Sequence, residues 1–269
     1  MKAISKAAIA IAAALIAGFA PTGQAEAGAA ERIVPHKALY KLSLKRSAGN
    51  SDIVGVGGQM SFEWRDSCDG WTVNQRNLMI LQSVEGSFRS VDSVMSTWEA
   101  KDGSSYRFLV NKDFGEGGKE TIEGKAVRTS SGTVAVAFSK PESVSMELPA
   151  DIIFPSAHTL RLLDSVLTGE KLYSASLFDG SEFEAESFVS AAIGRKKIAE
   201  LGDDPLLSGS YWPLRLAFFG PGNSSEAPDY ELTVQLHANG IARGLEIHFD
   251  DFTVDVTLQR LEKLPDGGC

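Results

Sequence analysis

The chain is poor in what most recognisable chemistries require. It holds 2 cysteines and 4 histidines in 269 residues. No two of His36, His158, His237 and His248 stand at metal-ligand spacing on a helix, and no Cys-x-x-Cys or Cys/His cluster accompanies them. No zinc site is expected from that set. A Gly-x-Ser-x-Gly elbow for a serine nucleophile is absent. Gly55, Gly57 and Gly58 lack the helix pattern and the closing Lys-Ser/Thr of a phosphate loop. Positive charge is in deficit: Lys plus Arg number 26 against 35 Asp plus Glu, a formal net charge of −9. Nucleic-acid binding starts from a basic footprint, and docking on anionic lipid from a polybasic one, so neither is expected. Past the first twenty residues no run is long and apolar enough to span a bilayer. No internal repeat suggests a propeller or solenoid. The residues therefore assign no catalytic group, no metal and no cofactor.

What is present begins with a targeting segment. Lys2 and Lys6 precede an apolar run from Ala7 to Ala20, which Pro21 ends. Ala25-Glu26-Ala27 fits the small-x-small rule, so residues 1–27 read as a secretory signal peptide cut after Ala27 or Ala25. The run is shorter than a membrane span. Loss of Lys2, Lys6 and Glu26 takes the net charge from −9 to −10. Residues 28–269 are read as one soluble, exported domain, since no composition shift divides them. In an oxidising compartment the even pair Cys68 and Cys269 reads as an intramolecular disulfide closing almost the whole mature chain.

Most of the remaining chain alternates with a period of two. Ala38, Tyr40, Leu42 and Leu44 point one way, against Lys37, Lys41, Ser43 and Lys45. Tyr230, Leu232, Val234 and Leu236 alternate up to the hairpin dipeptide Asn239-Gly240, and Leu245, Ile247 and Phe249 alternate on the return. Turn signals recur about every ten residues, which predicts about a dozen strands in a sandwich or barrel. One stretch keeps a helical period. After Pro155, with Ser156 as the expected N-cap, Leu160, Leu163 and Leu167 share a face with Leu162 and Val166 beside it. His158, Arg161, Ser165 and Thr168 fall on another face, and Gly169 is a natural stop. Such a helix needs tertiary packing.

Polar candidates are few. His158 opens the helix and can serve as a polar contact or bind a partner. Asp179-Gly180 is a turn, and His248 shares a strand face with Asp250. The aromatic run Tyr211–Phe219 reads as core or as the wall of an apolar pocket.

The chain resembles the EipB-like family of periplasmic cell-envelope integrity proteins. The resemblance rests on VPHKALYKLSL at 34–44, the Cys68 turn followed by Gly70 and Trp71, LPADIIFPSAHTLRLL at 148–163, LFDGSE at 177–182, WPLRLAFF at 212–219, NGIARGLEIHFDDF at 239–252 and the terminal Cys269. It implies an all-β fold: an open, spiralling, many-stranded antiparallel β-barrel with one helix in its concave side. It also implies a disulfide between Cys68 and Cys269, a periplasmic location, and no catalytic residues to carry over. The expected role is non-enzymatic support of the cell envelope through an apolar envelope ligand or a periplasmic protein partner. The rivals are a lipid or lipoprotein carrier and a hydrolase acting on an envelope polymer, for which His158, Asp179 and His248 are the residues to replace. Leu160, Leu163, Leu167, His158, Trp212 and Phe218 are the candidate pocket or helix-plug residues.

Overall fold

The computed structural model describes residues 29–183, 186–199, 204–220 and 227–267. Residues 1–27, read above as a signal peptide, and Cys269 lie outside the described residues. A helical turn, α1 (Ala29–Arg32), leads into eight strands: β1 (His36–Ser47), β2 (Ile53–Asp66), β3 (Gly70–Ser83), β4 (Phe88–Ala100), β5 (Ser105–Asp113), β6 (Lys119–Arg128), β7 (Val134–Lys140) and β8 (Ser145–Leu148). Helix α2 (Pro155–Thr168) follows. The second run is β9 (Leu172–Leu177), β10 (Ser187–Ile193), β11 (Lys197–Ala199), β12 (Gly209–Phe219), β13 (Tyr230–His237), β14 (Ala242–His248) and β15 (Phe252–Lys263).

These 15 strands form one sheet, ordered β8-β7-β6-β5-β4-β3-β2-β1-β15-β14-β13-β12-β10-β9, with β11 beside β12. The first and last strands zip the two runs together antiparallel, from His36 opposite Lys263 to Ser47 opposite Phe252. The outer strands β8 and β9 do not pair with each other. Instead Ile153, past the end of β8, forms a parallel bridge with Leu177 of β9. Its N–H donates to the Ser176 carbonyl at 3.0 Å, and its carbonyl accepts from the Phe178 N–H at 3.1 Å. The sheet thus curls almost shut but stays an open barrel.

The alternation seen in the sequence becomes an inside and an outside. In β1, Ala38, Tyr40 and Leu42 are buried while Lys37 and Lys41 are exposed. Pro213 sits within β12, where a missing N–H would normally break the ladder. It lies at the gap between β10 and β11, where its carbonyl accepts from the Gly194 N–H at 2.9 Å, so the break falls where the pairing already changes strand. The strand count exceeds the dozen expected from sequence. Ser145–Leu148 and Lys197–Ala199 are too short to show a period.

Helix α2 lies inside the curve. Its Leu162, Leu163 and Val166 pack in one cluster with Trp64 of β2, Trp71 of β3, Val189 of β10, Leu214 of β12 and Leu236 of β13. Trp64 and Leu214 belong to strands on opposite sides of the barrel, so the sheet must wrap the helix for both to reach it. A second cluster, built on Tyr106, Phe108, Phe154 and Phe178, fills the end near β5 to β8. Wrapping also changes the two-faced helix expected from sequence. His158 and Ser165, on the face read as polar, are buried, because walls close over more than one side.

The helix start differs as well. The N-cap position is Phe154, with Pro155 at the first helical position, and no side chain of that residue caps the helix. The acceptor comes from Glu99 near the end of β4. Its Oε2 takes the Ser156 N–H at 2.6 Å and its Oε1 the Ala157 N–H at 2.8 Å. Acceptor oxygens are favourable there because the first amides of a helix are unpaired. Gly169 ends the helix in the left-handed region, φ 85°, where glycine carries no Cβ penalty.

Candidate functional site: an apolar cavity inside the barrel

The helix fills only part of the concave side. Between it and the wall from β4 through β1 to β13 lies a cavity of about 540 Å³. The surface is contributed by Tyr40 and Leu42 of β1, Met60 and Phe62 of β2, Met79 of β3, Leu232 of β13, Leu245 and Ile247 of β14, and Val256 of β15. The position of these residues follows from alternation: each lies on the inward face of its strand. Leu232, Leu245, Ile247 and Met79 are nevertheless only half-buried, because they face a void where a filled core would supply side chains. Tyr40 braces the wall, its hydroxyl donating to the Ala242 carbonyl at 2.8 Å.

A second cavity of about 490 Å³ adjoins the first, sharing Phe62, Trp64, Gln75, Asn77, Ser93, Thr159, Tyr230 and Leu236 with it. It runs along the helix start past His158 and Leu162 to Asp179, Phe218 and Lys112. Both volumes fall in the range of small-molecule sites. Lys112 Nζ is held by Glu182 at 2.7 Å.

The candidate residues separate into two groups. His158 and Phe218 line the second cavity. Leu163 is fully buried in the cluster that anchors the helix, Trp212 belongs to the same cluster, and Leu160 and Leu167 pack against its edge. Phe218 stacks on Tyr230, ring centroids 4.6 Å apart. His158 lies 5.5 Å from the Tyr173 ring, and burial pushes its imidazole down to about 4, so it is neutral near pH 7. Asp179 shares its cavity. His248 stands elsewhere, with Nε2 2.9 Å from Thr233 Oγ1 on the neighbouring strand. Among the described residues no cluster of three His, Cys, Asp or Glu could hold a metal, and no helix is long and apolar enough to cross a membrane.

Cys68 sits in the β2–β3 turn at φ 67°, its N–H donating to Asp66 Oδ1 at 3.0 Å. The C-terminal segment comes back to this turn. Leu264 N–H donates to the Pro35 carbonyl at 2.8 Å, and a Cβ at Gly267 would stand 2.8 Å from the Asp66 carbonyl oxygen. Among the described residues no cysteine is free.

Sequence reasoning missed the Glu99 cap and the lining role of Trp64, Met60 and Met79. The alternation of Leu245 and Ile247 was visible, but it has the same form whether a strand faces a packed core or an empty one.

A sheet that curls around one helix and leaves an apolar hollow beside it defines an open β-barrel protein with an internal cavity. The chain belongs to the EipB-like family, whose model matches residues 27–265. It is 33% identical over 268 residues to the cell envelope integrity protein EipB of Brucella abortus (strain 2308), covering 94% of this chain and 93% of that protein. It also superposes on the crystal structure of a β-barrel-like protein of a domain of unknown function from Brucella abortus. There the TM-score is 0.79 at 28% identity, covering 87% of this chain and 99% of that one.

Proposed function

We propose that this is a non-enzymatic periplasmic protein that supports envelope integrity by holding an apolar envelope component in its barrel. The observation that carries the reading is the void of about 540 Å³ walled mostly by aliphatic, aromatic and methionine side chains, with His36 among them and Gln75, Asn77, Ser93 and Thr159 on the side shared with the second cavity. An apolar cavity of this size gains from a hydrophobic occupant, since burial of apolar surface is favourable at roughly 25 cal/mol per Å². The relative's name as an envelope integrity protein supports the cellular role, and the N-terminal segment supports export. A carrier that passes its cargo to a partner uses the same cavity and differs only in release.

The test is native mass spectrometry of protein drawn gently from the periplasm, alongside Leu245→Trp. Leu245 projects into the cavity, so an indole there occupies the space a ligand needs. The parent is expected to carry masses in the lipid range, and the variant to lose at least about nine-tenths of them, a tenfold loss of affinity corresponding to about 1.4 kcal/mol. A parent that carries no lipid and binds no fluorescent acyl probe overturns the reading.

A further inference from the structure

Two of the buried side-chain nitrogens without a hydrogen-bond partner among the described residues, Trp64 Nε1 and His158 Nε2, belong to residues that line the cavity. Both residues are buried, 3% and 7% exposed, and both line the cavity of about 490 Å³; Trp64 also faces the adjoining one. A buried indole N–H nearly always finds an acceptor, and orphaned buried polar groups are rare in native proteins. Two at one cavity call for an oxygen that the chain itself does not supply.

The chemistry of that oxygen is constrained. The indole N–H only donates. The imidazole is neutral, and its Nε2 donates in one tautomer and accepts in the other. A carbonyl oxygen is an acceptor for the indole and, in the Nε2–H tautomer, for the imidazole. A charged headgroup is disfavoured, because an ion buried without a partner is costly and Lys112, the cation lining this cavity, is already held by Glu182 at 2.7 Å and lies 3.7 Å from Glu120. Resting on the apolar-ligand reading above, we propose that Trp64 and His158 form a polar pole that takes the uncharged ester carbonyl of an acylated lipid, whose chain lies along the β1, β14 and β15 wall. The ligand class is then an acyl ester rather than a bare hydrocarbon, a free carboxylate or a phosphate.

Two fluorescent probes separate the outcomes: cis-parinaric acid methyl ester, which carries an ester, and diphenylhexatriene, which carries no oxygen. The readout is the ratio of their dissociation constants for the parent, His158→Leu, His158→Gln and Trp64→Phe, each confirmed folded by circular dichroism. One neutral hydrogen bond predicts that ester selectivity falls about fivefold to tenfold in His158→Leu and in Trp64→Phe, and is partly kept in His158→Gln, whose amide still donates. Equal selectivity in the parent and all three variants overturns the polar pole and assigns the orphaned atoms to water. A parent that binds diphenylhexatriene but not the ester overturns the pole and leaves the apolar cavity standing. A parent that binds neither overturns both.

Discussion

Cys68→Ser lowers the stability of the oxidised protein by up to about 5 kcal/mol, the loop-entropy value for a bridge that closes some two hundred residues. The expectation rests on the proposed pairing of Cys68 with Cys269. The tail supports it by returning to the turn of Cys68, where Gly267 lies against Asp66. The bridge would clamp the point where β2 turns into β3, next to Trp71 and the helix cluster. It would also fix the far end of the β1–β15 seam, which joins the two runs of strands. Urea unfolding without reductant should show the same loss in Cys68→Ser and in Cys269→Ser, and the parent unfolded with reductant should match them. Identical midpoints for all four samples would remove the bridge from the account.

Glu99→Ala should destabilise by about 3 kcal/mol, since it strips the acceptor from two helix-start amides beside the buried Glu99 and Ser156 and each unsatisfied group costs about 1–3 kcal/mol. Glu99→Gln keeps one acceptor oxygen and should lose less. The pH dependence separates the two effects. Burial pushes the Glu99 carboxyl up to about 7, the amide bonds from Ala157 and Ser156 and the charge of Arg161 pulling the other way. Between the ordinary value of 4.5 and about 7 the folded chain keeps a proton that the unfolded chain has released. Its contribution is therefore fully present below about pH 4.5 and is lost as the pH rises through 7. His158 acts in the opposite sense. Its folded value of about 4 lies below the ordinary 6.5, so stability rises with pH across that interval. The parent curve alone mixes the two, whereas the difference between parent and Glu99→Gln isolates the carboxyl. That difference should shrink with rising pH by up to about 3 kcal/mol, at about 1.4 kcal/mol per unit. A difference that stays flat from pH 4.5 to 7.5 would mean that Glu99 does not titrate in this range.

The elements legible in the sequence are those whose signal is local. The period of two in β1, β13 and β14 gave both the strands and their inward faces, because alternate side chains must leave a sheet on opposite sides. Gly169 marked the helix end because only a residue without Cβ turns there freely. Where the signal was short or non-local it failed. β8 and β11 are stabilised by their neighbours rather than by any pattern of their own. Ser156 reads as a cap, yet a strand carboxylate 57 residues earlier in the chain takes that place. No local rule links β4 to a helix that follows four strands later.

The sequence alone determined that this chain is built of alternating strands with a single substantial helix, that it carries an export signal pattern, and that it lacks the residue clusters of common catalytic and metal sites. Alternation, charge and spacing are properties of neighbouring residues, so they survive without a structure. Only the tertiary structure decided that the sheet wraps the helix, that Glu99 caps it, and that the wrapped space is left partly empty with Trp64 and His158 unpaired at its wall. An inward-facing leucine is written the same way whether another side chain meets it or nothing does. The volume left over is set by how seven strands curve around one helix, and curvature is a sum over contacts between residues far apart in the chain.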